Sequence, residues 1–410
     1  MARPAAGQKS AEPGPDAHDP RHSTKLYGHE RAERIILDAI ASHKMHHAWL
    51  ITGPRGVGKA TLAYRMARFI LKSNEQTSRD DPPSLFGPAL KNHDLKDHGP
   101  NDNVQSPELA PLTSLDLPAD DPVFQRIAQG SHGNLLVIER GWDDRRKVMR
   151  GDILVDDVRK MQAFFNRTAA QKGWRVCIID AADELNRNAA NAILKILEEP
   201  PADCLLLLIS HAPGRLLPTI RSRCRNLALA PVLQQKVIDA LALSHPDLAA
   251  NEARALAILS DGAPGRAMSL AEGDGLSLYA DLLALIRTMP GIDLVKAHQF
   301  SGRFSLKSAE PAYQLMISLL LWWVETSVRW AAMGNAEAFS DGSRDVIEGE
   351  GALRQHFVAS LALDRWVELW EKMTGLISRT DAVYLDRKQV LLSLLLMLDE
   401  AAAGRMPSHH

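Results

Sequence analysis

The sequence contains few of the residues that would indicate an extracellular or membrane protein. Its 410 residues include only three cysteines, Cys177, Cys204 and Cys224. This small, odd number is typical of a reduced cytosolic protein and provides no disulfide framework. The N-terminus lacks the apolar core of a signal peptide, and the longest apolar run, Leu315–Val324, is too short to span a bilayer. We therefore expect a soluble cytoplasmic chain with Leu315–Val324 in a buried helix.

A strong net charge is also absent. Lys and Arg total 48 against 50 Asp and Glu, so no overall field attracts the chain to nucleic acid or membranes. Arg145, Arg146, Lys147 and Arg150 form one basic cluster. A solvated turn is its simpler interpretation, and a contact with a phosphate backbone is the alternative. A plain DNA-binding module is disfavoured as the main role.

The most informative segment is Trp174–Arg225. Its apolar run Val176–Ile179 ends in Asp180 and predicts a buried parallel strand. A helix capped by Asn186 follows, and then a second buried strand, Cys204–Ile209. Strand, helix and strand predict a right-handed crossover in a parallel sheet, with polar residues at the carboxyl ends of the strands.

A second motif precedes this unit. A predicted strand, His46–Thr52, meets a glycine loop that runs to Lys59, and a predicted helix, Thr61–Leu71, follows. This context is typical of a P-loop, in which backbone N–H groups and the helix N-terminus bind phosphates and the lysine reaches the terminal phosphates. The candidate nucleotide-binding residues here are Gly53, Gly56, Gly58, Lys59 and Thr61.

The P-loop departs from its pattern directly after the lysine. A P-loop has Ser or Thr there to coordinate Mg²⁺, but this chain has Ala60. Thr61 is one residue further on, so its side chain is turned by about 100° around the helix. We expect metal coordination to be compromised.

The remaining patterns predict a tail and three domains. Residues 1–24 are rich in Pro, Ala, His and charge, and we expect a disordered tail. Residues 25–230 predict the α/β domain. Within it, the proline-rich stretch 73–134 predicts a long loop or disordered insertion. His93 and His98 lie in this stretch, where we expect a solvated loop rather than a metal site. Residues 231–274 predict a small helical domain, and residues 275–405 an all-α domain.

These motifs resemble the clamp-loader branch of the AAA+ ATPases. The resemblance covers the first two domains well and the C-terminal domain more weakly. It is carried by Leu26–Glu30, His46–Leu50 with Gly53–Lys59, Ile178–Asp180, Asn191–Pro201, Leu217–Cys224 and, in the C-terminal domain, Leu385–Gln389. The resemblance implies a RecA-like α/β domain with helices on both faces of a parallel sheet, a helical lid and a helical collar that mediates oligomerisation.

The resemblance also implies partners. They are gamma or tau motor subunits and a delta subunit in a five-subunit ring. That ring opens the sliding clamp and seats it on primer–template DNA for a replicative DNA polymerase, a DNA-directed nucleotidyltransferase. No membrane partner is implied.

Three further residues receive roles through the resemblance. Arg223 matches the arginine finger that enters the ATP site of a neighbouring subunit, where a guanidinium offsets the charge that develops on phosphoryl transfer. The simpler alternative is a surface salt bridge. Asp180 matches the aspartate that ends a strand at the nucleotide site, and Arg266 matches the second sensor arginine of the lid.

A second departure suggests how the family role is modified. Motor subunits place a glutamate after the strand-terminal aspartate to orient the attacking water, but this chain has Ala181. Each lost group costs roughly 10²-fold or more in rate. We interpret Asp183 and Glu184, further along, as capping or solvent-facing residues. The cysteines of the family's zinc module are absent, so we expect no metal site and no zinc.

The leading hypothesis is therefore a largely non-hydrolysing clamp-loader subunit with Arg223 acting in trans. It would have weak or no intrinsic ATPase activity, require no cofactor and bind ATP or ADP weakly at most. The alternative is an ATP-hydrolysing AAA+ motor or remodelling ATPase, which would need Thr61 or Glu184 to contact metal or water.

Overall fold

The computed structural model describes residues 19–42, 44–77, 113–143, 148–166, 173–333, 344–383 and 386–406. The chain divides into two compact units. The first comprises Met1–Pro54 and Gly58–Ala230, and the second comprises Arg55–Val57 and Pro231–His410.

The first unit is built on a five-stranded parallel sheet. Its strands are β1 (Ala48–Thr52), β2 (Leu135–Ile138), β5 (Arg175–Asp180), β6 (Cys204–Ser210) and β7 (Arg225–Ala228). Their order is β2-β5-β6-β1-β7, and every neighbouring pair is parallel. A short antiparallel pair, β3 (Trp142–Asp143) with β4 (Val148–Met149), is separate from this sheet.

Helices cover both faces of the sheet. In the first unit they are α1 (Glu30–Ala41), α2 (Lys59–Thr77), α3 (Pro122–Ala128), α4 (Val155–Asn166), α5 (Arg187–Glu198) and α6 (Pro218–Arg221). Leu50 and Leu208 share one core with residues of α4 and α5. Trp49 and Ile51, on the opposite face, are also fully buried, and α2 packs against β1, β5 and β6. Burial on both faces explains why these strands are apolar throughout, and the RecA-like architecture is confirmed.

The predicted crossover unit is present. β5 and β6 are adjacent and parallel, and α5 connects them along the chain. The helix begins where its cap was predicted, because the Asn186 side chain accepts a hydrogen bond from Ala189 N at 2.8 Å. This bond satisfies one of the backbone donors that the first helical turn leaves unpaired.

The structure differs from the sequence expectation at both ends of the predicted insertion. α2 continues to Thr77, and α3 forms where we expected only loop. Asp121 caps α3 by accepting from Val123 N at 2.8 Å, and Pro122 is its first residue, the position at which proline is favoured. Residues 78–112, and with them His93 and His98, lie outside the described residues.

Part of the expected disordered tail is also ordered. Buried arginines of α2 hold residues 20–24: Arg68 donates to Ser23 O at 2.7 Å and to Pro20 O at 3.1 Å, and Arg65 donates to Thr24 O. Guanidinium groups have enough donors to satisfy several backbone carbonyls at once, so this segment needs no secondary structure of its own.

In the described part of the second unit every regular element is a helix. Its helices are α7 (Gln234–Ser244), α8 (Ala250–Leu259), α9 (Pro264–Glu272), α10 (Gly275–Ile286), α11 (Leu294–Gly302), α12 (Glu310–Ala332), α13 (Glu350–Ala359), α14 (Leu363–Val383) and α15 (Arg387–Ala402). One hydrophobic core extends from Val237 to Ala401, so the lid–collar boundary at residue 274 stays a prediction. Leu315–Val324 lies in α12 as expected, and no helix of the described residues has the length and apolarity needed to cross a membrane.

Candidate functional site

The carboxyl ends of three adjacent strands bring the candidate nucleotide residues of the first unit together. Thr52 is paired with Ser210 where β1 and β6 end, and Asp180 is paired with Ile209 where β5 ends. Because the strands are parallel, their carboxyl ends lie at one edge of the sheet, where such folds bind ligands. The glycine loop follows β1 directly and therefore starts at this edge.

The glycine loop has the backbone conformation that its sequence requires. Gly53, Gly56 and Gly58 have positive φ angles of 146°, 76° and 110°, which side chains strongly disfavour. A Cβ added at Gly58 would lie 2.9 Å from Leu26 Cδ1. Leu26 belongs to the Leu26–Glu30 motif, so this motif packs against the phosphate loop.

Lys59 is buried, with 3% of its surface exposed. Its ammonium donates to Gly53 O at 2.7 Å and to Pro54 O at 2.6 Å. A buried ammonium must be hydrogen-bonded, and here the carbonyls of its own loop serve. A phosphate at this loop would have to compete with these two carbonyls for the Lys59 ammonium.

The two positions that supply hydrolytic groups in motor subunits carry alanine in this chain. Ala60 and Thr61 are both in the first turn of α2 and both partly buried, and the alanine has no oxygen to offer a metal. Ala181 is 3% exposed and follows β5 directly. Among the described residues no group of three or more His, Cys, Asp or Glu side chains is arranged to hold a metal ion.

Asp183 and Glu184 are bound to protein groups. Asp183 accepts a hydrogen bond from His211 N at 2.9 Å. Burial, the largest single effect, raises the pKa of Asp183, but the hydrogen bonds to this carboxyl, of which that from His211 N is the strongest, together lower it below its usual value. Glu184 forms an ion pair with Arg140, with 2.8 Å between Oε2 and Nε. These contacts give both carboxylates a structural role, but Glu184, 18% exposed, is not the solvent-facing residue that the sequence suggested.

Two candidate nucleotide residues, Gly56 and Arg266, belong to the second unit. Gly265 N donates to Gly56 O at 2.8 Å, and a Cβ at Gly56 would lie 2.6 Å from Arg266 N. The Arg266 guanidinium donates to Ser318 O of α12 at 3.4 Å. Burial lowers its pKa, against the opposing effect of Asp261 and Glu325. The sensor role of Arg266 stays a prediction.

Arg223 lies at the opposite edge of its own sheet from the phosphate loop. Arg225 begins β7 and is paired with Trp49, near the start of β1, so Arg223 precedes the amino ends of these strands. The phosphate loop follows the carboxyl end of β1. A five-residue strand separates the two by about 15 Å along its axis. Arg223 therefore does not reach the nucleotide loop of its own sheet.

The Arg223 side chain is partly exposed, at 37%, and is bound locally. Its guanidinium forms an ion pair with Glu198, 2.9 Å from Nη2 to Oε1, and donates from Nη1 to Thr219 O at 3.1 Å. The surface salt bridge that we considered as the simpler alternative is thus present. It does not by itself exclude the finger role, because the group remains accessible.

Sequence reasoning missed three residues of these two regions. Ser210 ends β6 beside Thr52 and His211 follows it, and the rule that polar residues follow parallel strands could have identified them. Glu198 was noted only as part of a motif, and no signal in the sequence links it to Arg223. Of the predicted basic cluster, Arg145, Arg146 and Lys147 lie outside the described residues.

Comparison with known proteins agrees with the motifs. The family model for DNA polymerase III, delta subunit, matches residues 119–233. DNA polymerase III subunit delta' of Pseudomonas aeruginosa is 34% identical over 61% of this chain and 62% of its own length. The delta' subunit of Escherichia coli is 40% identical over 34% of this chain and 42% of its own length.

The chain is a relative of the delta' subunits of DNA polymerase III.

The predicted resemblance to clamp-loader subunits is therefore confirmed. A more distant relative is subunit tau of Salmonella typhimurium, 28% identical over 66% of this chain and 36% of its own length. The matched segments span less than two thirds of the delta' relatives.

Proposed function

We propose that the chain acts as a delta' subunit of a clamp loader for DNA polymerase III and lends Arg223 to the ATP site of a neighbouring motor subunit. The observation that carries this proposal is the position of Arg223, partly exposed at the amino edge of its sheet. An arginine about 15 Å from its own phosphate loop can serve ATP only in another subunit.

The hydrolytic site of the chain itself supports a non-hydrolysing role. Ala60 lacks the hydroxyl that would hold Mg²⁺, and Ala181 lacks the carboxylate that would orient water. Lys59 and the glycine loop can still hold a nucleotide, with Lys59 replacing its two carbonyl contacts by phosphate oxygens. The proposed partners are gamma or tau motor subunits and a delta subunit in a pentameric ring, with the sliding clamp and primer–template DNA engaged through that ring.

The competing function is an ATP-hydrolysing motor, which the similarity to tau favours. Against it, Glu184 is engaged by Arg140 and Asp183 by His211 N. We expect the purified chain alone to hydrolyse no ATP above background. Turnover at the rate of an isolated motor subunit would favour the motor.

The finger role is tested by Arg223→Ala in the reconstituted complex. An arginine finger is worth roughly 10³-fold or more in turnover at the site it serves, so we expect clamp loading on primed DNA to slow at least about tenfold. The matched control is Arg221→Ala, because Arg221 is exposed and ends the short helix α6 beside Arg223. Unchanged loading by Arg223→Ala, with normal assembly, would exclude the role.

A further inference from the structure

The ion pair between Glu198 and Arg223 joins two segments that are distant in the sequence. Glu198 is the last residue of α5, and Arg223 lies between α6 and β7. The end of α5 is itself anchored, since His47 Nε2 lies 3.2 Å from Leu197 O and satisfies a carbonyl that the helix end leaves unpaired. Glu198 is therefore a carboxylate on a fixed element, and Arg223 is the longer, more flexible partner.

The position of Glu198 is unfavourable for α5 alone. The C-terminal end of a helix carries partial negative charge, so acidic side chains there are disfavoured. α5 nevertheless ends with Glu198 and is followed by Glu199. Glu198 has the Arg223 guanidinium as its counter-charge, whereas Glu199 makes no side-chain hydrogen bond or ion pair with the described residues. The pair thus gives the otherwise disfavoured Glu198 carboxylate a specific partner.

The contacts leave most of the Arg223 guanidinium available. A guanidinium has five N–H donors. Glu198 engages Arg223 through a single carboxylate oxygen, and Thr219 O accepts one further bond. Three donors remain, on a group that is 37% exposed. Arg223 can therefore bind a phosphate oxygen while Glu198 and Thr219 still hold it.

We propose that Glu198 is a positioning residue that holds the Arg223 guanidinium in the orientation in which it enters the neighbouring ATP site. The inference rests on the proposed function of Arg223. As water adds to the γ-phosphorus and ADP departs, the fixed guanidinium offsets the charge on the transferring phosphoryl group. A side chain held beforehand loses less conformational freedom when it makes this contact.

The expected effect lies in turnover. Glu198→Ala frees Arg223 without removing it, so we expect a loss of about three- to tenfold in the kcat of ATP hydrolysis by the assembled, clamp- and DNA-stimulated complex. The KM for ATP should stay unchanged, because the neighbouring subunit binds the nucleotide. Glu198→Gln keeps an acceptor oxygen and should lose less than Glu198→Ala. The control, Glu199→Ala, removes the adjacent carboxylate and should match the unmodified complex.

A double variant separates positioning from a general structural role. If Glu198 acts through Arg223, Glu198→Ala combined with Arg223→Ala should be no slower than Arg223→Ala alone. The melting temperature and ring assembly of Glu198→Ala should equal those of Glu199→Ala. If Arg223→Ala slows hydrolysis and Glu198→Ala does not, the positioning role is wrong and the finger role stands. Additive losses, or a raised KM, would also overturn it. If Arg223→Ala has no effect, both proposals fail.

Discussion

Asp183 is the ionisable residue that links the ends of β5 and β6 at the edge of the sheet where the nucleotide loop begins. It follows β5, and the N–H that it accepts belongs to His211, which follows β6. Because the pKa of Asp183 in the folded chain is lowered, its ionised form stabilises the fold. That contribution is complete above the pKa of the unfolded chain, about 4, and is lost as the pH falls through the folded pKa.

We therefore expect Asp183→Asn to lower the melting temperature at pH 7 and at pH 5 by similar amounts. At pH 3 the difference from the unmodified chain should shrink, because Asp183 is itself becoming protonated. The measurement is thermal unfolding followed by circular dichroism at the three pH values. Asp156→Asn serves as the control, because Asp156 is 75% exposed in a surface pair with Arg159. A difference that grows as the pH falls would contradict the assigned role.

The sequence alone shows when a residue that a motif requires has been replaced. Ala60 and Ala181 could be identified in this way, because an alanine supplies neither hydroxyl nor carboxylate in any fold. The partner of Arg223 could not be identified, since contact between Glu198 and Arg223 depends on where α5 ends relative to β7. The carbonyl contacts of Lys59 depend on the detailed path of the glycine loop and could not be predicted from the sequence either.

At the scale of elements, the buried guanidinium of Arg354 joins α13 to α12 within the second unit. Arg354 and Glu350, both 1% exposed, form an ion pair at 2.5 Å. Arg354 also donates to Trp323 O at 2.9 Å and to the hydroxyls of Thr326 and Ser327 at 2.7 Å each. A guanidinium bound on several sides can remain charged inside a core.

Arg354→Met should lower the free energy of unfolding by about 3–5 kcal/mol, because it leaves the Glu350 carboxylate buried without its counter-charge. The control is Arg365→Met on α14, which removes an exposed pair with Glu368 and should cost less than about 1 kcal/mol. Urea unfolding of the full chain measures both. Combining Arg354→Met with Glu350→Leu should recover much of the loss, and a larger loss in the double variant would contradict this explanation.

Helices and strands were predictable where the apolar residues followed a single helical or strand pattern over several residues. β5 and β6 were located to within one residue at each end, and α5 begins directly after its predicted cap. α3 was missed because it is only seven residues long and lies in a proline-rich region, although the Asp121 cap and Pro122 gave a local signal. The Glu350–Arg354 pair has the spacing of a solvent-facing helical pair, and only the neighbouring helices show it to be buried.

At the scale of the whole molecule, the α/β unit and the helical unit have separate hydrophobic cores. The boundary that the sequence located before residue 231 is also where contacts divide the chain, apart from the loop residues Arg55–Val57. A boundary of this kind is predictable because composition changes there, from alternating strands and helices to helices alone. The predicted boundary at residue 274 has no such change, because helices continue on both sides of it.

We therefore expect each unit to fold on its own and the intact chain to unfold in more than one step. Trp322, Trp323, Trp330, Trp366 and Trp370, five of the eight tryptophans, lie in the second unit, so fluorescence reports mainly on that unit while circular dichroism reports on both. The fluorescence and dichroism transitions of the full chain in urea should differ. A fragment of residues 231–410 should unfold cooperatively and reproduce the fluorescence transition, since it keeps the hydrophobic core of the second unit from Val237 to Ala401. Coincident transitions together with an unfolded fragment would show that the helical core depends on the α/β unit.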